Sequence, residues 1–370
     1  TSAAQAKLFT AFIRHYVQSL VWDELDHAHL EDLYGSISSF WHFMQQRRRG
    51  EPKIRVYNPH YDQHGWQSTH TIVDINCDDM PFLVDSLRME INRRGYNIHN
   101  AVYFGGLSVQ RDLEGHIQEI GAERLACSAE SSCEAIIHLE IDRQTDLKAL
   151  AELEARLLVI LADVAIAVQD WQAMQDRLEE KAEALKQNPP KTVEKEELKE
   201  TISFLKWLRS GHFTFLGCRD YRVKKVGKDM GLELIPGSGL GVLRNESHSQ
   251  KIRMLSEVAP EIQKLLTSNK HILILTKTNT LATIHRRVYT DYVSIKQMSA
   301  EGEVIGETRF IGLYTTAAYN SKLSETPFLR HKVETIMRRS GLPPQGHSGK
   351  ELMSILESLP RDDLLHASPD

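Results

Sequence analysis

Residues 71–99 constrain the fold more tightly than any other stretch. Residues 71–76 read TIVDIN, a β-branched run that suits a pleated strand. A period of two puts Val73, Ile75 and Cys77 on one face and Ile72, Asp74 and Asn76 on the other. One face is dry and the other mixed, which predicts a sheet covered on one side only. The acidic turn Cys77-Asp78-Asp79-Met80-Pro81 follows. Asp78 or Asp79 can cap the first turn of a helix, and Pro81 suits that turn because its missing N–H costs nothing there. Met80, Leu83, Val84, Leu87 and Ile91 then recur at helical spacing, Glu90 and Arg94 form an i,i+4 pair, and Gly95 marks a stop. Residues 98–109 resume an extended pattern. The backbone N–H groups at this helix start could bind a carboxylate or phosphate; the plainer reading is that the acidic side chains cap them.

Residues 3–49 read as helices. Leu8, Phe9, Phe12, Ile13 and Tyr16 make one apolar stripe, and Leu30, Leu33, Tyr34, Ile37, Phe40, Trp41 and Met44 make a second within residues 26–46. KIRVYN, residues 53–58, is a short strand ended by Pro59, and the polar loop HYDQHGWQ leads into TIVDIN. EAIIHLEID, residues 134–142, is another strand. Residues 146–162 form a helix with Leu150, Leu153, Leu157, Leu158 and Leu161 on one side. The first domain thus reads strand, helix, strand, strand, helix. A fourth core strand is either residues 164–168 or KIRVYN, and pattern does not choose between them; residues 164–174 can also be read as more helix. Residues 171–201 are highly charged and broken by Pro189-Pro190, which predicts a helical linker or projecting arm. The second half opens on a helix over 196–209. An alternating strand (HFTFLGCRDYRV), a glycine-rich turn, a helix over 260–268 and the apolar strand HILILTK come next. A hairpin joins 289–297 to 307–314, and helices cover 328–339 and 349–359.

At 370 residues the chain exceeds the size at which one core usually divides. The expected organisation is a helical segment over 1–50, a first domain over 51–172, a charged linker over 173–200 and a second domain over 201–370. A net charge of −5 gives no electrostatic reason to expect nucleic acid. Arg47 to Arg49 is the one compact basic run and reads as a solvated loop. His27 and His29 resemble a metal-ligand pair only weakly, since i,i+2 residues do not share a helix face. Cys77 and Cys218 lie in apolar runs and read as buried free thiols. Cys127 and Cys133 can bridge across SAESS, although a reducing cytoplasm, the expected location, would keep them as thiols. No stretch is long and apolar enough to span a membrane, and the N-terminus carries no signal peptide. Its start without Met suggests a trimmed or excised piece.

Two further groups invite functional readings. Gly237-Ser238-Gly239-Leu240-Gly241 follows a strand, but its spacing is GxGxG and RNESHSQ follows it where a helix is required. A turn with close backbone packing is the plainer role. His285 and Arg286, with Lys277 and Arg287 nearby in sequence, could hold an anion. There is no Walker A lysine, no HExxH and no GxSxG, and no paired carboxylates or nucleophile–base set emerges. The residues themselves name no reaction.

DDMPFLVDSLRMEINRRG after a β-branched strand resembles the D-x-P-G-x-L signature of ACT domains, small βαββαβ sensors of amino acids. Phe82 stands where that family usually has glycine, which opposes ligand approach to the backbone. Over residues 31–365, EDLYGSISSFWHFMQQRRRGEPKIRVYNP, GWQSTHT, DDMPFLVDS, EIDRQTD, LRSGHFTFLG, PGSGLGVLR, GLYTTAAYN and PRDDLL look like the N-terminal regulatory part of the large bacterial NAD-dependent glutamate dehydrogenases. The resemblance implies a parent enzyme that deaminates glutamate with NAD, the chemistry and the cofactor residing in a catalytic domain elsewhere. For this chain it implies an α+β fold with two ACT-like (ferredoxin-like) modules, no cofactor of its own, contacts with other subunits of a homo-oligomer, and amino-acid effectors. The candidate effector residues are Asn76, Asp78, Asp79 and Met80 at the helix start. A second set is Gly237, Ser238, Gly239 and Gly241 with His285 and Arg286. A scaffold that binds no small molecule is the competing expectation.

Overall fold

A computed structural model describes residues 3–20, 30–128, 131–227, 229–246, 250–258 and 260–366. His27 and His29 lie outside the described residues. The chain is α+β and forms two compact units, Thr1–Ala165 with Thr283–Arg287, and Ile166–Ala282 with Val288–Asp370.

The first unit runs α1 (Ala3–Val17), α2 (Leu30–Met44), β1 (Lys53–Tyr57), the short α3 (Tyr61–His64), β2 (Thr71–Asp78), α4 (Leu83–Arg93), β3 (Ile98–Arg111), β4 (Ile117–Ile120), β5 (Ser132–Ile141) and the first part of α5 (Leu147–Gln187). Its sheet is antiparallel in the order β1-β2-β5-β3-β4. KIRVYN is therefore the strand beside β2. Residues 164–168 instead continue α5, because Leu157, Leu161 and Val164 extend the buried helical stripe and outweigh the β-branched composition.

TIVDIN departs from the expectation of one covered face: every residue from Thr71 to Cys77 is buried. Register places Asp74 opposite Arg55 and His138, and Val102 opposite His138, so these share one face with Ile136 and Phe104. That face is covered by α1 and α2, whose Phe12, Tyr16, Ile37, Phe40 and Met44 join Val102, Phe104 and Ile136 in one cluster. The N-terminal helices are thus part of the first unit's core. Leu83, Leu87 and Ile91 of α4 and Leu150, Leu153 and Leu157 of α5 are buried, and so are Val73, Ile75, Ile137 and Leu139 on the opposite face. The sequence pattern missed this because the polar residues on the mixed face pair with one another, which lets them be buried.

Cys127 and Cys133 are joined as a disulfide, with Cα atoms 5.6 Å apart. The reading as free thiols is thus not what the structure holds: the loop before β5 folds back, Ser128 N–H donating to Ser131 Oγ at 2.8 Å, and brings the two cysteines to bridging distance. Cys77 and Cys218 are buried free thiols, and burial pushes both up to about 12.

In the second unit the remainder of α5 is followed by α6 (Lys195–Trp207), β6 (Phe213–Val226), β7 (Asp229–Leu234), β8 (Leu240–Gly241), β9 (Ile252–Met254), α7 (Pro260–Thr267), β10 (Leu273–Leu281), β11 (Tyr289–Met298), β12 (Val304–Tyr314), α8 (Thr316–Asn320), α9 (Leu329–Ser340), α10 (His347–Ser358) and α11 (Arg361–His366). Its antiparallel sheet has the order β10-β11-β12-β6-β7-β9, with β8 on β6. Among the described residues α7 is the one α-helix between β6 and β12, beside a single 3-10 turn at Leu255–Glu257, so this unit departs from the strand–helix–strand–strand–helix order of the first. The charged stretch read as a linker or projecting arm packs through its apolar residues. Met174, Leu178, Ala182 and Leu185 are buried with Phe204, Phe213, Phe215 and Phe310. An i,i+4 apolar stripe survives under the charge, and it is enough to dock a helix.

Candidate functional site

The turn after β2 spends its acidic side chains on neighbours, leaving none to cap α4. Asn76, fully buried, donates from Nδ2 to Glu134 Oε2 at 2.8 Å and accepts from Arg111 Nη2 at 3.3 Å. Asp78 accepts from Arg47 Nη2 at 2.7 Å and from the Gly50 N–H at 3.0 Å. Asp79 accepts from the Tyr103 hydroxyl at 3.4 Å, and burial lifts its carboxyl above the ordinary range. Met80 is half-buried between them and the helix. The residue preceding α4 is Phe82, at φ 70° and ψ 1°, with no side-chain cap. The capping expectation for Asp78 and Asp79 therefore fails, because Arg47 and the Gly50 and Tyr103 donors compete for the same carboxylates. The glycine-like position in the signature is a left-handed one, and Phe82 occupies it.

His285 and Arg286 lie in the short segment that belongs to the first unit. The His285 N–H donates to Ser86 Oγ at 2.9 Å, its Nδ1 is 3.2 Å from Asp85 Oδ2, and its ring centroid is 5.2 Å from that of Phe82. Arg286 is half-buried, its N–H donating to Ile284 O at 2.9 Å. The glycine-rich turn belongs to the second unit and has its own partners. The Gly237 N–H donates to Glu246 Oε1 at 2.8 Å, Ser238 Oγ donates to Ile235 O at 2.6 Å, and the Gly241 N–H donates to Asp170 Oδ2 at 2.8 Å. A Cβ on Gly239 would overlap Leu243 O, and one on Gly241 would overlap Leu216 O. The N–H groups of Gly237 and Gly241, which a phosphate would need, already face carboxylates of the chain. The two halves of the second candidate set thus sit in separate surroundings.

Pattern reasoning missed the polar face of the first sheet. Asp74, 1% exposed, accepts from His138 Nδ1 at 2.6 Å and from Arg55 Nε at 2.9 Å. Burial alone would raise its carboxyl, but the charges and hydrogen bonds of His138 and Arg55 outweigh burial and hold it below the usual range. Glu134, fully buried, lies 2.9 Å from Arg47 Nη2 and 2.7 Å from Arg111 Nε. Those two guanidiniums overcome its desolvation and bring its carboxyl down to about 2.

Beside this network a cavity of about 810 Å³ opens between the sheet face and the helices that cover it. Its wall includes Tyr16, Trp66, His70, Asn100, His138 and Glu140. Two polar atoms of residues that line it, Trp66 Nε1 and Asn100 Oδ1, are sealed from water as the side chains stand and have no hydrogen-bond partner among the described residues. Such orphans cost about 1–3 kcal/mol each. The one signal in the sequence was EAIIHLEID, where His138 and Glu140 stand at i,i+2 and interrupt the apolar run from Ala135 to Ile141. Among the described residues no group of three or more His, Cys, Asp or Glu is arranged to hold a metal. No helix among them is long and apolar enough to cross a membrane.

Comparison with known proteins places this geometry. A family described as glutamate dehydrogenase, ACT1 domain, matches residues 12–157, within the first unit. A second, glutamate dehydrogenase, helical motif 1, matches residues 326–370, where α9, α10 and α11 lie. The NAD-specific glutamate dehydrogenase of Halomonas elongata is 38% identical over 353 residues, 95% of this chain and 22% of that protein. That of Pseudomonas aeruginosa is 38% identical over 364 residues, 98% of this chain and 22% of the relative. The Mycobacterium tuberculosis protein of the same name is 26% identical over 325 residues, 88% of this chain and 18% of the relative. The chain thus spans about a fifth of the length of the curated relatives it matches. From the two matched segments and the near-complete coverage at 38% identity, the chain belongs to the NAD-specific glutamate dehydrogenase family, as a counterpart of its N-terminal, ACT1-bearing region.

Proposed function

We propose that this chain is a regulatory and assembly segment of an NAD-specific glutamate dehydrogenase, and that it is not itself the site of chemistry. The parent reaction would convert L-glutamate, NAD and water to 2-oxoglutarate, ammonium and NADH, with NAD held in a separate catalytic domain. The observation that carries this reading is the coincidence of the ACT1 match, residues 12–157, with a unit whose β2-α4-β3-β5-α5 core follows the strand–helix–strand–strand–helix order of such sensors. An amino acid bound at the sheet–helix edge, where Asp79 and Met80 meet the start of α4, would favour one arrangement of a cytoplasmic homo-oligomer and so shift its activity. The second unit, an antiparallel sheet backed by helices, would serve as the other module.

A ligand-free scaffold is favoured by one specific feature: Phe82 occupies the left-handed position beside α4, and His285 packs against its ring. The two readings separate by calorimetry of the intact protein with a panel of amino acids. Heat from at least one of them, reduced by Asp79→Asn, is expected for a sensor. Silence across the panel from a stable oligomer would leave the scaffold. Glutamate-dependent NADH production by these 370 residues alone would overturn both.

A further inference from the structure

The carboxylate of Glu140 is held more loosely than those of Asp74 and Asp142 in the same unit. Asp74 has contacts of 2.6 and 2.9 Å, and Asp142 has contacts of 2.7 and 2.8 Å. Around Glu140 every contact is long. His70 Nδ1 is 3.2 Å away, Ser68 Oγ 3.3 Å, Asn100 Nδ2 3.4 Å and His138 Nε2 4.0 Å. Hydrogen bonds to a charged acceptor settle near 2.7–2.9 Å when the donors are free to approach. Here they are not: Asp74 pins the His138 ring through Nδ1, and the His70 ring stacks on that of His99 at 4.4 Å. The acceptor capacity of Glu140 is therefore only loosely filled, and its side chain is 22% exposed on the wall of the 810 Å³ cavity.

The neighbouring orphans define what would complete the site. Asn100 Oδ1 is a second acceptor with no partner, and its Nδ2 already leans on Glu140. Trp66 Nε1, on a residue only 4% exposed, is a donor with no partner. A group presenting several N–H donors to two acceptors, next to an acceptor for one indole N–H, matches all three. An ammonium has three donors and no acceptor.

We propose that this cavity is a binding site for a small ligand carrying a protonated amine, which donates to Glu140 and, once the amide turns toward the cavity, to Asn100 Oδ1. The site lies under α1 and α2, apart from the start of α4, and stands whether or not the regulatory reading holds. An amine alone and the amine of an amino acid share this chemistry. The carboxylate of an amino acid would accept from Trp66 once the indole turns toward it.

The test is calorimetric titration of the intact protein with three probes: n-butylamine, butyrate and 2-aminobutyrate. Measurable binding of 2-aminobutyrate, or of butylamine and 2-aminobutyrate together, is expected, with none for butyrate. Binding of 2-aminobutyrate alone would identify the amino acid as the source, and equal binding of both amines would identify a simple amine. Glu140→Gln should weaken binding at least tenfold while leaving the far-ultraviolet circular dichroism unchanged. Should that variant fail to fold, a crystal of the unaltered protein soaked with 2-aminobutyrate must place its nitrogen against the Glu140 carboxylate. Binding of butyrate as tight as that of the amines, an unaltered affinity in Glu140→Gln, a soaked ligand elsewhere, or no binding of any probe would each overturn the proposal.

Discussion

Phe82 shows how a single residue can contradict a motif and still be tolerated. It holds φ 70°, a region that costs an L residue about 1–2 kcal/mol. Its ring is half-buried against His285, and Ser86 Oγ donates to its carbonyl at 2.6 Å, so packing and a hydrogen bond oppose the strain. Replacing it separates the two effects. Phe82→Ala and Phe82→Gly both lose the ring, but only alanine keeps the left-handed penalty. The glycine variant should therefore be the more stable by about 1 kcal/mol in urea unfolding, reversing the usual order of the two residues. Glu134 makes a second prediction. Its carboxyl is depressed from 4.5 to about 2, so the native state holds the charged form more tightly than the unfolded chain does. That stabilisation is complete above about pH 4.5 and is lost as pH falls toward 2, for a total of about 3 kcal/mol. Acid titration of stability should show this slope, and Glu134→Gln should flatten it while destabilising the protein at neutral pH, since Arg111 loses its charged partner and Arg47 keeps only Asp78. Neither residue was readable in advance. Phe82 was visible as a departure from the signature, but not as a strained helix cap. Glu134 looked like the polar end of a strand.

At the scale of elements, spacing located most helices and strands, and tertiary contacts corrected the remainder. The hairpin of β11 and β12, the strand β10 and the helices α7, α9 and α10 lie close to where alternation and helical repeats put them. The stretches that pattern left open have a common cause. Residues 164–168 are β-branched yet helical, and residues 173–187 are charged yet packed, because α5 buries one stripe along its 41 residues and propensity yields to burial. The glycine-rich turn is a case where the plainer reading fits. Gly241 has φ 58°, donates to Asp170 and pairs with Gly217 across β6 and β8. Gly241→Ala should destabilise the protein by more than about 2 kcal/mol, since a Cβ would overlap Leu216 O in a backbone conformation that alanine resists. A thermal melt of that variant matching the parent would show that the turn is not a packing joint.

At the scale of the whole molecule, each unit has an aromatic core of its own. One gathers Phe12, Tyr16, Phe40 and Phe104, the other Phe204, Phe213, Phe215 and Phe310. Truncating a buried phenylalanine typically costs about 3–5 kcal/mol. Scanning calorimetry should therefore resolve two transitions, Phe40→Ala lowering one midpoint more than the other and Phe310→Ala doing the reverse; equal shifts in a single transition would refute independent cores. The amino-acid sequence by itself determined the class of fold, the succession from β2 through α4 to β3, and the membership that the quoted segments carry. These are properties of near neighbours along the chain, where side-chain period and turn chemistry act directly. It could not choose the strand beside β2, bury both faces of that strand, or bring Glu140, Asn100 and Trp66 to one cavity. Those outcomes depend on residues tens of positions apart whose polar groups become buriable only when they meet, and only the tertiary structure decides which of them meet.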